Sequence, residues 1–270
     1  MLRLFQKQAM IPAEHGSWVF LFSPLLIGLA AAGWIDLPVI LVCLSALAGF
    51  MARQPLTLVI KVLSNRRPKK DLFPAIFWFL IYSMAAGICL GILLLWGYGF
   101  LLWLALPTSI TLSWHLWLVS KRRERRNVPV EIAGSGVLAL VAPAIYWVSG
   151  SQLRWEGGLL WGLCWLQATV SILYAFYRLD QKNLGERLTR STNLRLAMGS
   201  ITGSSLALLL VSWLASVQWV SPWLIIAFLI QWVEVFWGII RPAVGWKPAQ
   251  IGIRQLIVSS IFTIVFMFAW

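Results

Sequence analysis

Residues 98–149 read YGFLLWLALPTSITLSWHLWLVSKRRERRNVPVEIAGSGVLALVAPAIYWVS. Two apolar runs, each about 20 residues long, flank the cluster Lys121-Arg122-Arg123-Glu124-Arg125-Arg126. About 20 apolar residues is the length that crosses a hydrocarbon core as a helix. Six consecutive charged side chains cannot rest inside that core, because each costs roughly 2.5–3.5 kcal/mol there. The stretch therefore reads as two transmembrane helices joined by a basic loop. The same alternation continues in both directions, and spans are expected at 17–34, 37–60, 73–96, 98–119, 130–149, 157–177, 195–216, 219–240 and 251–270. Trp34-Ile35-Asp36-Leu37-Pro38 turns the first span into the second.

Composition supports this. Of 270 residues, 60% are hydrophobic and 11% charged, whereas soluble domains carry about 25% charged residues. That excludes a water-soluble globule, and so much apolar surface excludes disorder. The 18 tryptophans suit a protein with two membrane–water interfaces to anchor. Cys43, Cys89 and Cys164 lie in apolar runs with no metal-ligand spacing and read as small hydrophobes in helix packing. Gly87/Gly91, Gly158/Gly162 and Gly199/Gly203 have the small-x3-small spacing of helix contacts.

The net charge of +13 is distributed by loop. One side collects Arg3 and Lys7, then Lys61, Arg66, Arg67, Lys69 and Lys70, then the 121–126 cluster. Arg178, Lys182, Arg187, Arg190, Arg195, Arg241 and Lys247 follow on that side, while the other side has Arg154 alone. Cytoplasmic loops are the Lys/Arg-rich ones, so the N-terminus is expected in the cytoplasm and the C-terminus outside, in a multi-pass protein of the inner membrane. The cations report topology, and nucleic acid is not an expected partner.

A weak repeat relates Ile11-Pro12-Ala13-Glu14-His15-Gly16-Ser17 to Val128-Pro129-Val130-Glu131-Ile132-Ala133-Gly134-Ser135. Each leads into a span, and the two spans run in the same direction. One transmembrane domain over 1–270 is expected, with pseudo-repeat halves at about 11–120 and 128–240 and a ninth helix at 251–270. Parallel repeats place sites where the halves meet.

Charged or polar groups within spans are functional candidates because hydrocarbon makes them expensive. Glu14 and His15 stand at the mouth of span one, and Glu131 opens span five; these three are candidates for proton transfer. Helix-start capping is the competing reading of both carboxylates. Arg53 and Gln54 lie inside span two, where pairing with Glu14 or Glu234 competes with lining an anion pocket. Glu234 lies on span eight, two turns before Arg241, and Arg254 opens span nine. No Walker A loop, HExxH helix, Gly-x-Ser-x-Gly elbow or His/Cys cluster occurs in the sequence. No metal and no cofactor is expected.

Met10-Ile-Pro-Ala-Glu-His-Gly-Ser-Trp18, Gly49-Phe-Met-Ala-Arg-Gln-Pro-Leu56 and Gly252-Ile-Arg-Gln255 resemble the YwiC-like bacterial membrane proteins. A more distant likeness is to the UbiA-type intramembrane prenyltransferases. It rests on the basic stretch from Lys61 through Asn65-Arg66-Arg67-Pro68-Lys69-Lys70-Asp71 and on Tyr174-x2-Tyr177-Arg178-Leu179-Asp180-Gln181-Lys182. That likeness implies an all-α integral membrane fold, with nine helices as two four-helix halves plus a ninth. Where the family's first aspartate motif would stand, this chain has Arg53, Gln54 and Lys61; in the second, Asp180 alone remains.

The resulting expectation is a cavity between the halves, with Arg53, Gln54, Lys61, Arg178, Asp180, Lys182, Glu234 and Arg254 as substrate-binding residues. Membrane lipids and an isoprenoid or quinone ligand are the expected partners. The activity would be a lipid- or isoprenoid-linked transferase or modifying enzyme working without the aspartate–magnesium motif. A transporter of a small or lipidic anion, or a non-catalytic quinone-binding or assembly factor, would use the same features. Whether the chain is an enzyme stays open at this stage.

Overall fold

The computed structural model describes residues 15–124 and 126–270, with His15 described in its backbone only. Among these residues there are ten α-helices and no strand. They are α1 His15–Ala32, α2 Leu37–Leu63, α3 Leu72–Leu95, α4 Leu102–Ser120, α5 Val128–Ala139, α6 Val141–Gly150, α7 Trp155–Leu184, α8 Arg190–Ser216, α9 Leu224–Ile240 and α10 Pro248–Ala269. Seven segments, one of them α5 and α6 together, are long and apolar enough to cross a bilayer, and α1 and α9 are shorter apolar helices. The chain is a multi-pass membrane protein.

Helix starts follow local chemistry. Asp36 accepts the Val39 amide and Asn127 that of Val130, and Pro38 and Pro129 follow in the first turn, where a missing N–H costs nothing. The fifth span breaks at Leu140 because Pro143 has no N–H for the Ala139 carbonyl. The Leu140 amide turns to Val137 O instead (3.1 Å). That leaves Gly136 O to the Trp161 indole of α7 (2.9 Å), while Trp165 donates to Ile132 O (2.8 Å). The Gly136 carbonyl freed by the break is thus satisfied from outside the helix. Other boundaries move by a few residues: α7 runs to Leu184 rather than 177, and α9 begins at Leu224 rather than 219.

At the centre, α1 packs on α5, α6, α7 and α10. Its Gly28 approaches the Ala142 backbone so closely that a β-carbon would stand 2.9 Å away. One apolar core joins Leu160, Leu163, Val211, Leu224, Phe228, Phe262 and Phe266; a second joins Leu21, Val39, Val42, Phe50, Leu93, Ile145 and Val148. In contrast, α3 and α4 turn apolar faces outward, with Leu80, Met84, Ile88, Trp103, Leu106 and Ile110 all more than half exposed. In a multi-pass protein such faces belong to lipid. The close crossings fall at Gly28, Gly136, Gly157 and Gly238. The small-x3-small pairs do not supply them: a β-carbon on Gly87, Gly91, Gly158, Gly162 or Gly199 would meet nothing within 4 Å, and of the six Gly203 alone meets a neighbour, Leu173.

The basic loops gather at one end of the bundle. Arg66 Nη2 pairs with Glu124 (2.6 Å), and Arg66 Nη1 donates to Val119 O, tying the loop after α2 to the end of α4. Arg126 pairs with Asp180 near the end of α7, and Arg178 Nη1 bonds Arg241 O in the loop after α9 (2.7 Å). At the opposite end Trp155 meets Trp219 at 5.3 Å between ring centroids, and Phe100 meets Trp147 at 6.4 Å.

Candidate functional site

Along α7 the residues Gln167, Ser171, Tyr174, Arg178 and Gln181 recur at intervals of four and three, so they share one face. All five are buried. At 1.5 Å per residue the stripe extends about 21 Å. The facing positions on α9 are Gln231, Glu234 and Gly238, the first two buried and polar. A polar seam thus runs between helices whose remaining surfaces are apolar.

Its outer end, beside the basic loops, is a closed hydrogen-bond network. Gln181 Nε2 lies 2.6 Å from Tyr177 Oη, 2.7 Å from Asn193 Oδ1 and 3.1 Å from Gly238 O. Gln181 Oε1 accepts from Arg178 Nη1 (2.8 Å) and the Ala243 amide (3.1 Å). Tyr177 donates to Asn193 Oδ1 (2.8 Å), and Asn193 Nδ2 to Ile239 O (3.1 Å). Arg178 Nη1 also reaches Gly238 O (2.8 Å). A cation at the last carbonyls of α9 meets the negative end of that helix dipole. The guanidinium lies 5.3 Å from the Trp237 ring centroid and 5.2 Å from that of Trp246. Its Nη2 is buried and meets no hydrogen-bond partner among the described residues.

About one turn deeper, Glu234 is held from three directions. Arg254 Nε donates to Oε1 (2.6 Å) and Nη2 to Oε2 (2.7 Å), a two-pronged fork. Tyr174 donates its hydroxyl to Oε1 (2.8 Å). The Arg254 guanidinium carbon stacks 3.2 Å from the Trp237 ring centroid, so one indole contacts both arginines. Gln255 Nε2 donates to Ser171 O (3.0 Å). A narrow crevice, too tight to admit a water molecule, is lined by Ser171, Tyr174, Gln231, Glu234, Gln255 and Val258. Gln231 also lines a second crevice too tight for a water molecule, with Gln167, Val170, Ser204, Ala207 and Phe228, so the cavity expected between the halves is not seen here. There the Gln167 Nε2 group is buried without a partner among the described residues. Beyond Gln167 the same face of α7 presents Leu160, Leu163 and Cys164 to the apolar core, and the polar seam ends.

Of the residues singled out from sequence, Arg178, Glu234 and Arg254 come together here. Glu234 takes its charge partner from α10, and Arg241 contributes its carbonyl to Arg178. Asp180 lies near this end and is paired with Arg126, and Lys182 is in the last turn of α7. Arg53, Gln54 and Lys61 are half-buried on α2, whose packing partners are α1, α3, α4 and α6. Glu131 is exposed in the first turn of α5. Glu14 and the side chain of His15 lie outside the described residues. Sequence reasoning met Tyr174 and Gln181 only inside the stretch 174–182, without giving them a role, and did not name Gln167, Asn193 or Gln231; the four-three spacing of polar groups on a long apolar helix was the available signal.

A family model described as YwiC-like protein matches residues 11–146, half of the chain. The chain belongs to the YwiC-like family. The comparisons match no curated protein and no solved structure. In this YwiC-like protein the matched segment runs from before α1 into α6, and the polar seam of α7–α10 lies beyond it.

Proposed function

We propose that this YwiC-like protein is a carrier for a small anion, taken up together with a proton, with Glu234 as the proton-exchanging group and Arg254 and Arg178 as the anion site. One observation carries the reading. Two guanidiniums, the buried Arg178 and the half-buried Arg254, stand against the one carboxylate of Glu234, and one Arg178 nitrogen is without a hydrogen-bond partner among the described residues. A polar group buried in protein without a hydrogen-bond partner costs roughly 1–3 kcal/mol, and arginine's planar fork is the side-chain geometry that matches carboxylate or phosphate. Glu234 then acts as an internal anion that occupies the Arg254 fork when no substrate is bound. Its protonation releases Arg254, and the arriving anion takes the vacated position, so one proton enters with each negative charge.

The face carrying the basic loops is the cytoplasmic one in this reading, as the Lys/Arg asymmetry favours, and the membrane is the bacterial inner membrane. A UbiA-like transferase built from two helical halves would use the same cluster to hold an isoprenoid or quinone-like head group. The carrier is preferred because polar side chains continue past Glu234 to Gln231, Gln167 and Ser204, deeper than holding a head group requires, before the seam stops at the apolar core.

The test is uptake of labelled short carboxylates and inorganic phosphate into proteoliposomes with an inward proton gradient. The expected result is gradient-driven uptake that Arg254→Gln abolishes and that Glu234→Gln uncouples from the gradient. Uptake no greater than in protein-free vesicles, or unchanged by Arg254→Gln, defeats the proposal.

A further inference from the structure

Two basic loops meet where α2 and α4 end. Both helices close in the same way, each turning through a left-handed residue, Asn65 at φ 54° and Arg122 at φ 60°. The Arg66 amide then returns to Lys61 O (2.8 Å) and the Arg123 amide to Leu118 O (2.9 Å). Backbone amides thus cap these carbonyls, and the basic side chains are not needed as caps. Arg66 crosses to the other loop and pairs with Glu124, while Arg67 stands 4.0 Å from Asp71. Those are the two carboxylates that the loops 64–71 and 121–127 contain. Lys69, Lys70, Lys121, Arg122 and Arg123 are exposed, and none of them makes an ion pair among the described residues.

The residues that border this cationic corner are apolar and open. Leu63 ends α2, Phe73 lies in the first turn of α3 and Trp117 lies one turn from the end of α4; they are 66%, 58% and 54% exposed. In a multi-pass protein such side chains contact lipid, and tryptophan favours the level of the head groups. The five cations are therefore held at the membrane surface, within a few residues of side chains that meet acyl chains. Like charges gathered there repel one another, and an anion at the same depth relieves that repulsion. An acidic phospholipid fits both parts, with its phosphate among the cations and its chains against Leu63, Phe73 and Trp117. A soluble acidic partner would meet the cations and leave the apolar side chains uncovered.

We propose that the corner formed by residues 63–73 and 117–124 is a binding site for an acidic phospholipid, whose phosphate rests among Lys69, Lys70, Lys121, Arg122 and Arg123. The site stands apart from the seam of Glu234 and does not depend on the carrier reading. Other cations at this end are already engaged: Arg126 pairs with Asp180, and Arg178 bonds Gln181 and two carbonyls. Arg187, Arg190 and Arg195 are exposed but belong to one loop and the first turns of one helix, so no second loop brings further cations to them. They provide the comparison.

The experiment is native mass spectrometry of the full chain in detergent, titrated with dioleoyl-phosphatidylglycerol or dioleoyl-phosphatidylcholine. The two share chains and phosphate and differ in net charge. A cation near the membrane surface is worth about fivefold in attracting acidic lipid. The wild type is expected to bind phosphatidylglycerol at least about tenfold more tightly than phosphatidylcholine. Lys70→Gln/Lys121→Gln/Arg123→Gln should lose about tenfold or more of that affinity. Arg187→Gln/Arg190→Gln/Arg195→Gln, with the same change in charge, should lose less than about twofold. Equal losses in the two variants, or no preference in the wild type, overturn the proposal. Displacement of the lipid by excess glycerol 3-phosphate overturns it too, since the acyl chains would then contribute nothing. A phosphatidylglycerol with a photoreactive head group locates the site without any variant. Adducts should concentrate in 63–73 and 117–124, and adducts spread evenly over all the basic loops defeat the assignment.

Discussion

A β-carbon on Gly238 would stand 2.6 Å from the Tyr174 hydroxyl, the group that completes the partners of Glu234. The Gly238 carbonyl meanwhile receives Arg178 and Gln181. Gly238 therefore sets the separation between α7 and α9 at the depth of the ion pair. Gly238→Ala is expected to push Tyr174 away from Glu234 and to lower the unfolding temperature in detergent. Overpacking of this kind costs about 1–3 kcal/mol. Tyr174→Phe separates the two effects, since it deletes the hydroxyl and keeps the ring. An unchanged unfolding temperature for Gly238→Ala would show that the helices part freely there. Glu234 and Arg254 were both visible in the sequence as costly charges. Their pairing was not, because hydropathy ranks residues one at a time and the partners sit on different helices.

Among the elements, the link between the loop after α2 and the end of α4 rests on Arg66. Burial alone would raise the Glu124 carboxyl, but the Arg66 hydrogen bond, a backbone hydrogen bond and the charges of Arg66 and Lys61 outweigh it, and its pKa lies below the ordinary value. A depressed carboxyl contributes stability above its unfolded pKa, about 4.3 for glutamate. That contribution is lost as pH falls through the folded value. Glu124→Gln is accordingly expected to unfold at a lower temperature than wild type at pH 7, with the two converging under acid. A constant difference across the pH range would contradict it. The broken fifth span belongs to this scale too. Pro143 marks it in the sequence, but the indoles that accept the break come from α7, through Trp161 and Trp165, and no local pattern encodes them.

For the molecule as a whole, the Lys/Arg asymmetry and the contacts between loops agree on which loops share an end. Arg66 with Glu124, Arg126 with Asp180 and Arg178 with Arg241 join the basic loops in series. Single cysteines at Asn65 and Glu186, in a background lacking Cys43, Cys89 and Cys164, should react only from the cytoplasmic side. Cysteines at Gln152 and Gln218 should react only from the other. Mixed labelling of either pair would refute the topology. This arrangement was legible because loop charge and span length are properties of contiguous sequence. The depth and blind end of the polar seam were not, since they depend on how α7, α8, α9 and α10 turn their faces.

The 30 residues of α7 make a rod of about 45 Å, some 15 Å longer than the hydrocarbon it crosses. If the excess lies at the end beside the basic loops, where Gln181 meets the Ala243 amide, Arg178 and its neighbours would stand at the level of lipid head groups. In the carrier reading, a proton reaching Glu234 would then be drawn from the layer of water against the lipid, not from the bulk. A leaflet at about −30 mV concentrates protons there roughly threefold and depletes free anions by the same factor. On that reading lipid composition would become a setting of the site: the same external pH would present a more acidic medium to this seam in an anionic membrane than in a neutral one.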